Sequence, residues 1–223
     1  MYNLVGASFI FNTKLLKGLS RTGRIACATF YMSFHKRNLP HLYFSEGFYF
    51  VTYRLANSIP IDKLRLLKSF EDKNWDFEQF YEVFQKYDLL MNSSFTNINY
   101  LLQNELADIC KHSILFPDGK DFKLICYTIM PNHIHLVFEL LPGNKGISNI
   151  MRAIKGISAK RCNEYLNSKG KVWQDESFDR WIRNDKELYF TIRYVLLNPV
   201  TAGLVKVWSG WRNTYCHPAY LIL

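Results

Sequence analysis

"YTIMPNHIHLVFEL", residues 127–140, puts two histidines one residue apart inside a run that is otherwise almost wholly apolar. Its β-branched residues and the Pro131-Asn132 turn predict two central strands, 122–130 and 133–140, joined at that turn. Side chains alternate along a strand, so His133 and His135 project from one face while Ile134, Leu136 and Phe138 pack from the other. Two imidazoles side by side can hold one divalent metal. They can equally be hydrogen-bonded histidines near a strand end, and so short a pattern does not choose between the two.

The flanking sequence supplies one more strand and several helices. Residues 47–56, "GFYFVTYRLA", are aromatic and β-branched, as a strand requires. From residue 61 to about 90, Leu64, Leu67, Phe70, Phe77, Phe80 and Phe84 recur at three or four, which predicts helix with a break near 74–76. Further helices are predicted over 95–112 and 146–167, with a turn at 116–119, and "VWQDESFDRW" (172–181) reads as a loop. "NDKELYFTIRYVLLNPV" (184–200) predicts a helix that opens on a capping-box-like Asn184/Glu187 pair and ends at Pro199. Leu188, Ile192 and Val195 form its core stripe. Tyr194 and Asn198, four apart, share another face, where they could meet the histidines or serve as an ordinary half-buried aromatic and a helix-end residue.

The 223 residues suit one sizeable core, and 48% hydrophobic with 16% aromatic residues is a globular composition. No apolar run approaches the roughly eighteen residues of a membrane helix, so no membrane partner is expected. Five scattered cysteines without a CxxC argue against a disulfide framework or a cysteine zinc site, and a reducing, cytoplasmic setting fits. Net charge is uneven: residues 46–140 hold nine basic and thirteen acidic residues, whereas 141–223 hold thirteen and six. Basic residues interleaved with Trp173, Trp181, Trp208 and Trp211 suit a nucleic-acid partner, or a solvated basic face. Residues 1–31 lack acids and have a transit-peptide-like composition, but Met32 reads as a natural start. The expected organisation is an extension over 1–31 and a single domain over 32–223.

"MPNHIHLV" (130–137), "VWQ" (172–174) and "YVLLNPVTAGLV" (194–205), in this order and at these distances, resemble the HUH single-tyrosine transposases, the insertion-sequence-200-like family, in their REP-associated tyrosine transposase branch. "GFYFVTYRL" (47–55) resembles that family's first strand, and the likeness covers about residues 38–217. The resemblance implies an α+β fold, a ferredoxin/RRM-like antiparallel sheet with flanking helices. It implies that His133 and His135 hold a divalent metal, Mg²⁺ or Mn²⁺, that Asn198 is a third metal ligand, and that Tyr194 is the catalytic nucleophile. The implied activity is cleavage and rejoining of single-stranded, hairpin-flanked DNA through a 5′-phosphotyrosine link, in the bacterial cytoplasm and on the nucleoid when acting. Relatives work as monomers or dimers, which leaves a homodimer open. Lys155, Lys160, Arg161 and Arg193 are candidate DNA-phosphate contacts.

Two other readings keep the same residues. One is a domesticated DNA-binding protein of this descent that no longer cleaves. The other is a metal-dependent hydrolase, which wants an acidic third ligand and a metal-bound water. Glu139 shares the histidine face of its strand but reaches the same ion only under strain.

Overall fold

The computed structural model describes residues 33–36, 40–60, 63, 77–92 and 97–221. The expected extension over 1–31 and nearly all of the helix expected over 61–76 lie outside the described residues. Strands β1 (Ser33–Lys36) and β2 (Pro40–Tyr43) form a small antiparallel pair. A five-stranded antiparallel sheet is built from β3 (Gly47–Arg54), β4 (Phe122–Ile129), β5 (His133–Leu140), β6 (Phe178–Ile182) and β7 (Thr214–Cys216), in the order β6-β3-β5-β4-β7. The described helices are α1 (Phe77–Asn92), α2 (Asn104–Leu115), α3 (Ile147–Tyr165) and α4 (Asp185–Thr201). Taken without β7, the strand order and the crossings through α2 and α3 are those of the ferredoxin/RRM arrangement, so the α+β expectation holds. No described helix is long and apolar enough to cross a membrane.

Period-two alternation in β5 divides the core. Ile134, Leu136 and Phe138 face α2 and α3, whose Leu106, Cys110, Ile150 and Ile154 complete that layer. Val137 and Phe50 face the other way, toward Phe84 of α1 and the Leu188, Ile192 and Val195 stripe of α4. His133 and His135 lie on this second face, where helices cover them; both are fully buried.

Several elements differ from the sequence expectation. The segment expected as a helix over 95–112 is a short 3₁₀ turn (Tyr100–Leu102) followed by α2, because Gln103 is extended (φ −70°, ψ 124°) and separates them. Residues 178–182 are not loop but the edge strand β6, whose pairing with β3 outweighs the weak strand propensity of Asp179 and Arg180. Pro199 does not end α4, which runs on to Thr201. A proline there leaves the carbonyl four residues earlier without its helical donor, and the Thr128 hydroxyl of β4 donates to that Val195 carbonyl at 2.9 Å. The exchange also pins α4 to the sheet. Of the four tryptophans in the basic C-terminal third, Trp173 is buried and donates to Ser158, and Trp211 donates to the Ile129 carbonyl, so both serve the fold.

Gly47 opens β3 with φ +106°, and a Cβ built there would lie 2.6 Å from the Trp181 indole nitrogen. Gly47→Ala is therefore expected to cost about 1–3 kcal/mol in urea unfolding, through backbone strain and displacement of that indole.

Candidate active site

β5 delivers both imidazoles to one face, and their neighbours fix which nitrogen of each is presented. Asn132 uses its amide nitrogen to donate to the Met91 carbonyl (2.8 Å), which leaves its oxygen to accept from His133 Nδ1 at 2.7 Å. His133 therefore carries its proton on Nδ1 and presents a bare Nε2. Thr52, opposite His135 in the β3–β5 register, holds His135 Nδ1 at 2.7 Å. The two Nε2 atoms face each other at 3.0 Å.

A hydroxyl can donate or accept. When Thr52 donates, His135 carries its proton on Nε2 and donates to His133. When Thr52 accepts, both Nε2 lone pairs point into the same space, which is electrostatically tolerable only with a cation between them. Turning that hydroxyl, with transfer of the His135 proton from Nε2 to Nδ1 through solvent, thus converts a self-bonded histidine pair into a metal-binding one.

The third member comes from α1, and the sequence reading missed it. Asp88 brings its carboxylate 3.5 Å from His135 Nε2 and 4.0 Å from His133 Nε2, and one donor atom from each of the three residues lies within 4.8 Å of the others. A signal existed: Asp88 falls four residues after Phe84, an acid in phase with the apolar stripe of α1, and it is buried accordingly. Glu139, the acid weighed on β5, is not part of this group.

α4 adds Asn198 and Tyr194. The Asn184 side chain caps the helix by accepting from Glu187 N–H, while the Glu187 carboxylate accepts from Arg183 N–H and pairs with Arg180, so the box is closed on one side only. Asn198 Nδ2 donates to Asp88 Oδ2 and, at 3.3 Å, to the Tyr194 hydroxyl. The Tyr194 ring sits among Phe50, Tyr81, Phe84 and His135. The sequence-expected His133, His135, Tyr194 and Asn198 thus come together, with Asn198 meeting the group through Asp88. The donor chemistry suits a divalent metal: two bare or convertible imidazole nitrogens lie beside two buried acceptors, Asp88 Oδ1 and Asn198 Oδ1, that have no hydrogen-bond partner.

The four basic candidates do not converge there. Lys155, Lys160 and Arg161 belong to α3, on the far side of the sheet. Lys155 Nζ donates to the Gln174 and Asp175 carbonyls and to Ser177 Oγ, and burial lowers its pKa to about 8. Lys160 is exposed beside Glu164, and Arg161 is exposed. Arg193 is half-buried on α4, next to Tyr194.

Burial, and after it the neighbouring His135 imidazole, hold His133 well below the usual histidine range. An unfolded imidazole takes up its proton near pH 6.5, the folded one only at lower pH. The unfolded chain therefore binds more protons in that window, and stability present above about pH 6.5 is lost as pH falls, by up to about 1.4 kcal/mol per pH unit for this one group. Urea unfolding in EDTA between pH 7.5 and 5.5 is expected to show this slope, and His133→Gln to reduce it.

The family model for IS200-like transposases matches residues 94–195, a little under half the chain, and includes His133, His135 and Tyr194. The REP-associated tyrosine transposase of Escherichia coli (strain K12) is 28% identical over 108 residues, 48% of this chain and 62% of that one. Over these residues the chain is similar to the IS200-like transposases. A Haemophilus influenzae protein provisionally given the REP-associated name is 27% identical over 43% of this chain and 60% of its own length. The match thus spans about three fifths of these relatives. A solved REP-associated tyrosine transposase bound to a REP hairpin superposes with a TM-score of 0.54 at 21% identity, covering 82% of each chain, which supports the same fold. Asp88 lies outside the residues that match the IS200-like model.

Proposed function

We propose that this chain is a metal-dependent DNA strand transferase that cleaves and rejoins single-stranded, hairpin-flanked DNA with Tyr194 as nucleophile. The observation that carries the reading is the connected set from phenol to imidazoles. The Tyr194 hydroxyl accepts from Asn198, Asn198 donates to Asp88, and Asp88 faces the His133/His135 pair. His133, His135 and Asp88 would hold the metal, with Asn198 orienting the carboxylate, and Mn²⁺ is expected ahead of Mg²⁺ because two of three donors are imidazoles. When bound, such an ion supplies Lewis-acid polarisation of a phosphate.

In the reaction, the Tyr194 oxygen attacks phosphorus and the bond to the 3′ oxygen breaks. The DNA is left as a 5′-phosphotyrosine ester, and the released 3′ oxygen takes up the proton that the phenol gives to solvent. Reversal rejoins strands without an outside energy source, since one phosphodiester is exchanged for another. The reading takes residues 32–223 as one domain, 1–31 as an extension, and the bacterial cytoplasm as the setting. The REP hairpin held by the solved relative supports hairpin DNA as the substrate class. The acidic ligand would also serve a hydrolase, which makes no protein–DNA bond.

The test uses purified protein, Mn²⁺ or Mg²⁺, and labelled hairpin DNAs with single-stranded flanks on a denaturing gel. A labelled band at protein mass, absent with EDTA, is the expected result. Cleavage without a protein-linked band would favour the hydrolase, and binding without cleavage the domesticated binder.

A further inference from the structure

β3 places a second unusual residue on the site face. Thr52 holds His135, and two residues further on Arg54 stands opposite His133 in the β3–β5 register, so both side chains leave the sheet on the same side. Arg54 is only 4% exposed. Its Nη1 donates to Ser58 Oγ at 3.2 Å and to the Leu55 carbonyl at 3.5 Å, and the guanidinium interacts with the Tyr87 phenol. The partners are a hydroxyl, a main-chain carbonyl and a phenol, none of them a carboxylate. Among the described residues, no carboxylate oxygen lies within 4.0 Å of Arg54.

Burying a guanidinium with no paired anion costs several kcal/mol, and an isolated buried charge is rarely kept for stability. Asp88 and Glu176 are both close enough to act on Tyr87, and Asp88 is engaged with Asn198 and the histidines. The arginine therefore sits desolvated beside the candidate metal group, with no paired carboxylate among the described residues. A planar guanidinium fork matches two oxygens of a phosphodiester.

We propose that Arg54 binds a phosphodiester of the DNA strand engaged by Tyr194 and supplies the positive charge that holds it against the His133 end of the site. This rests on the strand-transfer reading above and adds to it a phosphate-binding residue from β3, on the opposite side of the histidines from α4. Tyr87 is the group it exchanges for the phosphate.

Arg54→Met, Arg54→Lys and wild type are compared in three measurements. The first is melting temperature without DNA. The second is the salt dependence of binding a labelled hairpin oligonucleotide with a single-stranded flank, in EDTA, so that it does not depend on metal or chemistry. The third is adduct formation with Mn²⁺. Arg54→Met is expected to melt at the wild-type temperature or above it, since an apolar replacement removes an unpaired buried charge. It should lower the slope of log K against log salt by about 0.7, one single-strand phosphate contact. Adduct formation should fall by roughly a hundredfold in Arg54→Met and by roughly tenfold in Arg54→Lys, which keeps the charge but loses the fork.

An unchanged salt slope in Arg54→Met overturns the proposal. So does a melting temperature lower by more than about 5 °C, which would make Arg54 a structural residue. If wild type itself forms no adduct, the strand-transfer reading fails, while the slope measured in EDTA still decides whether Arg54 contacts phosphate.

Discussion

Tyr194→Phe is expected to abolish the protein–DNA adduct while leaving fold and DNA affinity nearly unchanged. The ring keeps its packing against Phe50, Tyr81, Phe84 and His135, because none of those contacts uses the hydroxyl. What disappears is one acceptor, 3.3 Å from the Asn198 amide, and a bond that long contributes at most about 1 kcal/mol. The chemistry has no such margin. Without the phenol oxygen there is no atom at that position to take the phosphoryl group, so the covalent band should fall by more than about a thousandfold, the scale on which essential nucleophiles are lost. A denaturing gel alongside a melting curve checks both halves. An adduct persisting in Tyr194→Phe would move the nucleophile elsewhere and sink the proposed role.

The second large effect is expected at Asp88. If its carboxylate completes the metal group, wild type with Mn²⁺ at about a hundred times its dissociation constant gains about 2.7 kcal/mol of stability. For a chain of this size that is a rise of roughly 5–10 °C in melting temperature. Asp88→Asn keeps the shape but removes the negative charge, and metal affinity should fall at least about tenfold. The metal-free variant, by contrast, should stay within about 1 kcal/mol of wild type, since the new amide can donate to the histidine Nε2 atoms where the carboxylate could only accept. Melting curves with and without Mn²⁺ separate these effects. An undiminished metal-dependent rise in Asp88→Asn would remove Asp88 from the ligand set and return Asn198 as the oxygen donor.

Much of this site is legible in the sequence. The His133/His135 spacing dictates a shared strand face, and the Tyr194/Asn198 spacing a shared helical face; both follow from the period of the backbone alone. That the two faces meet is a tertiary fact, carried in the sequence only by the family likeness. β6 was not legible, because five residues containing Asp179 and Arg180 become a strand through pairing with β3 rather than by their own preference. β4 would have been hard to place by alternation, since a register shift between Leu124 and Cys126 changes which residues face which layer. Pro199 misled because its freed carbonyl is satisfied by Thr128, sixty-seven residues away in the chain. Arg54 went unread for a different reason: in "FVTYRLA" it looks like a polar residue at a strand end, and only its burial, with no carboxylate partner among the described residues, marks it.

If the site takes DNA as proposed, the placement of α1 bears on how tightly the strand would be held. His133 and His135 are fully buried and Asp88 and Asn198 are only 5% and 4% exposed, so a phosphate entering as proposed would need a minor population in which the cover of Phe84 over His135 and Tyr194 has parted. Apparent affinity is then the intrinsic affinity scaled by the fraction of molecules that are open: an open fraction of about 1% weakens binding about a hundredfold. Contacts that hold Phe84 against Phe50, His135 and Tyr194 shift that equilibrium toward the closed form. For substitutions at Phe84, stability and DNA affinity should therefore move in opposite directions. A hairpin that first docks elsewhere on the protein would raise the open fraction only to the extent that it binds the open form more tightly.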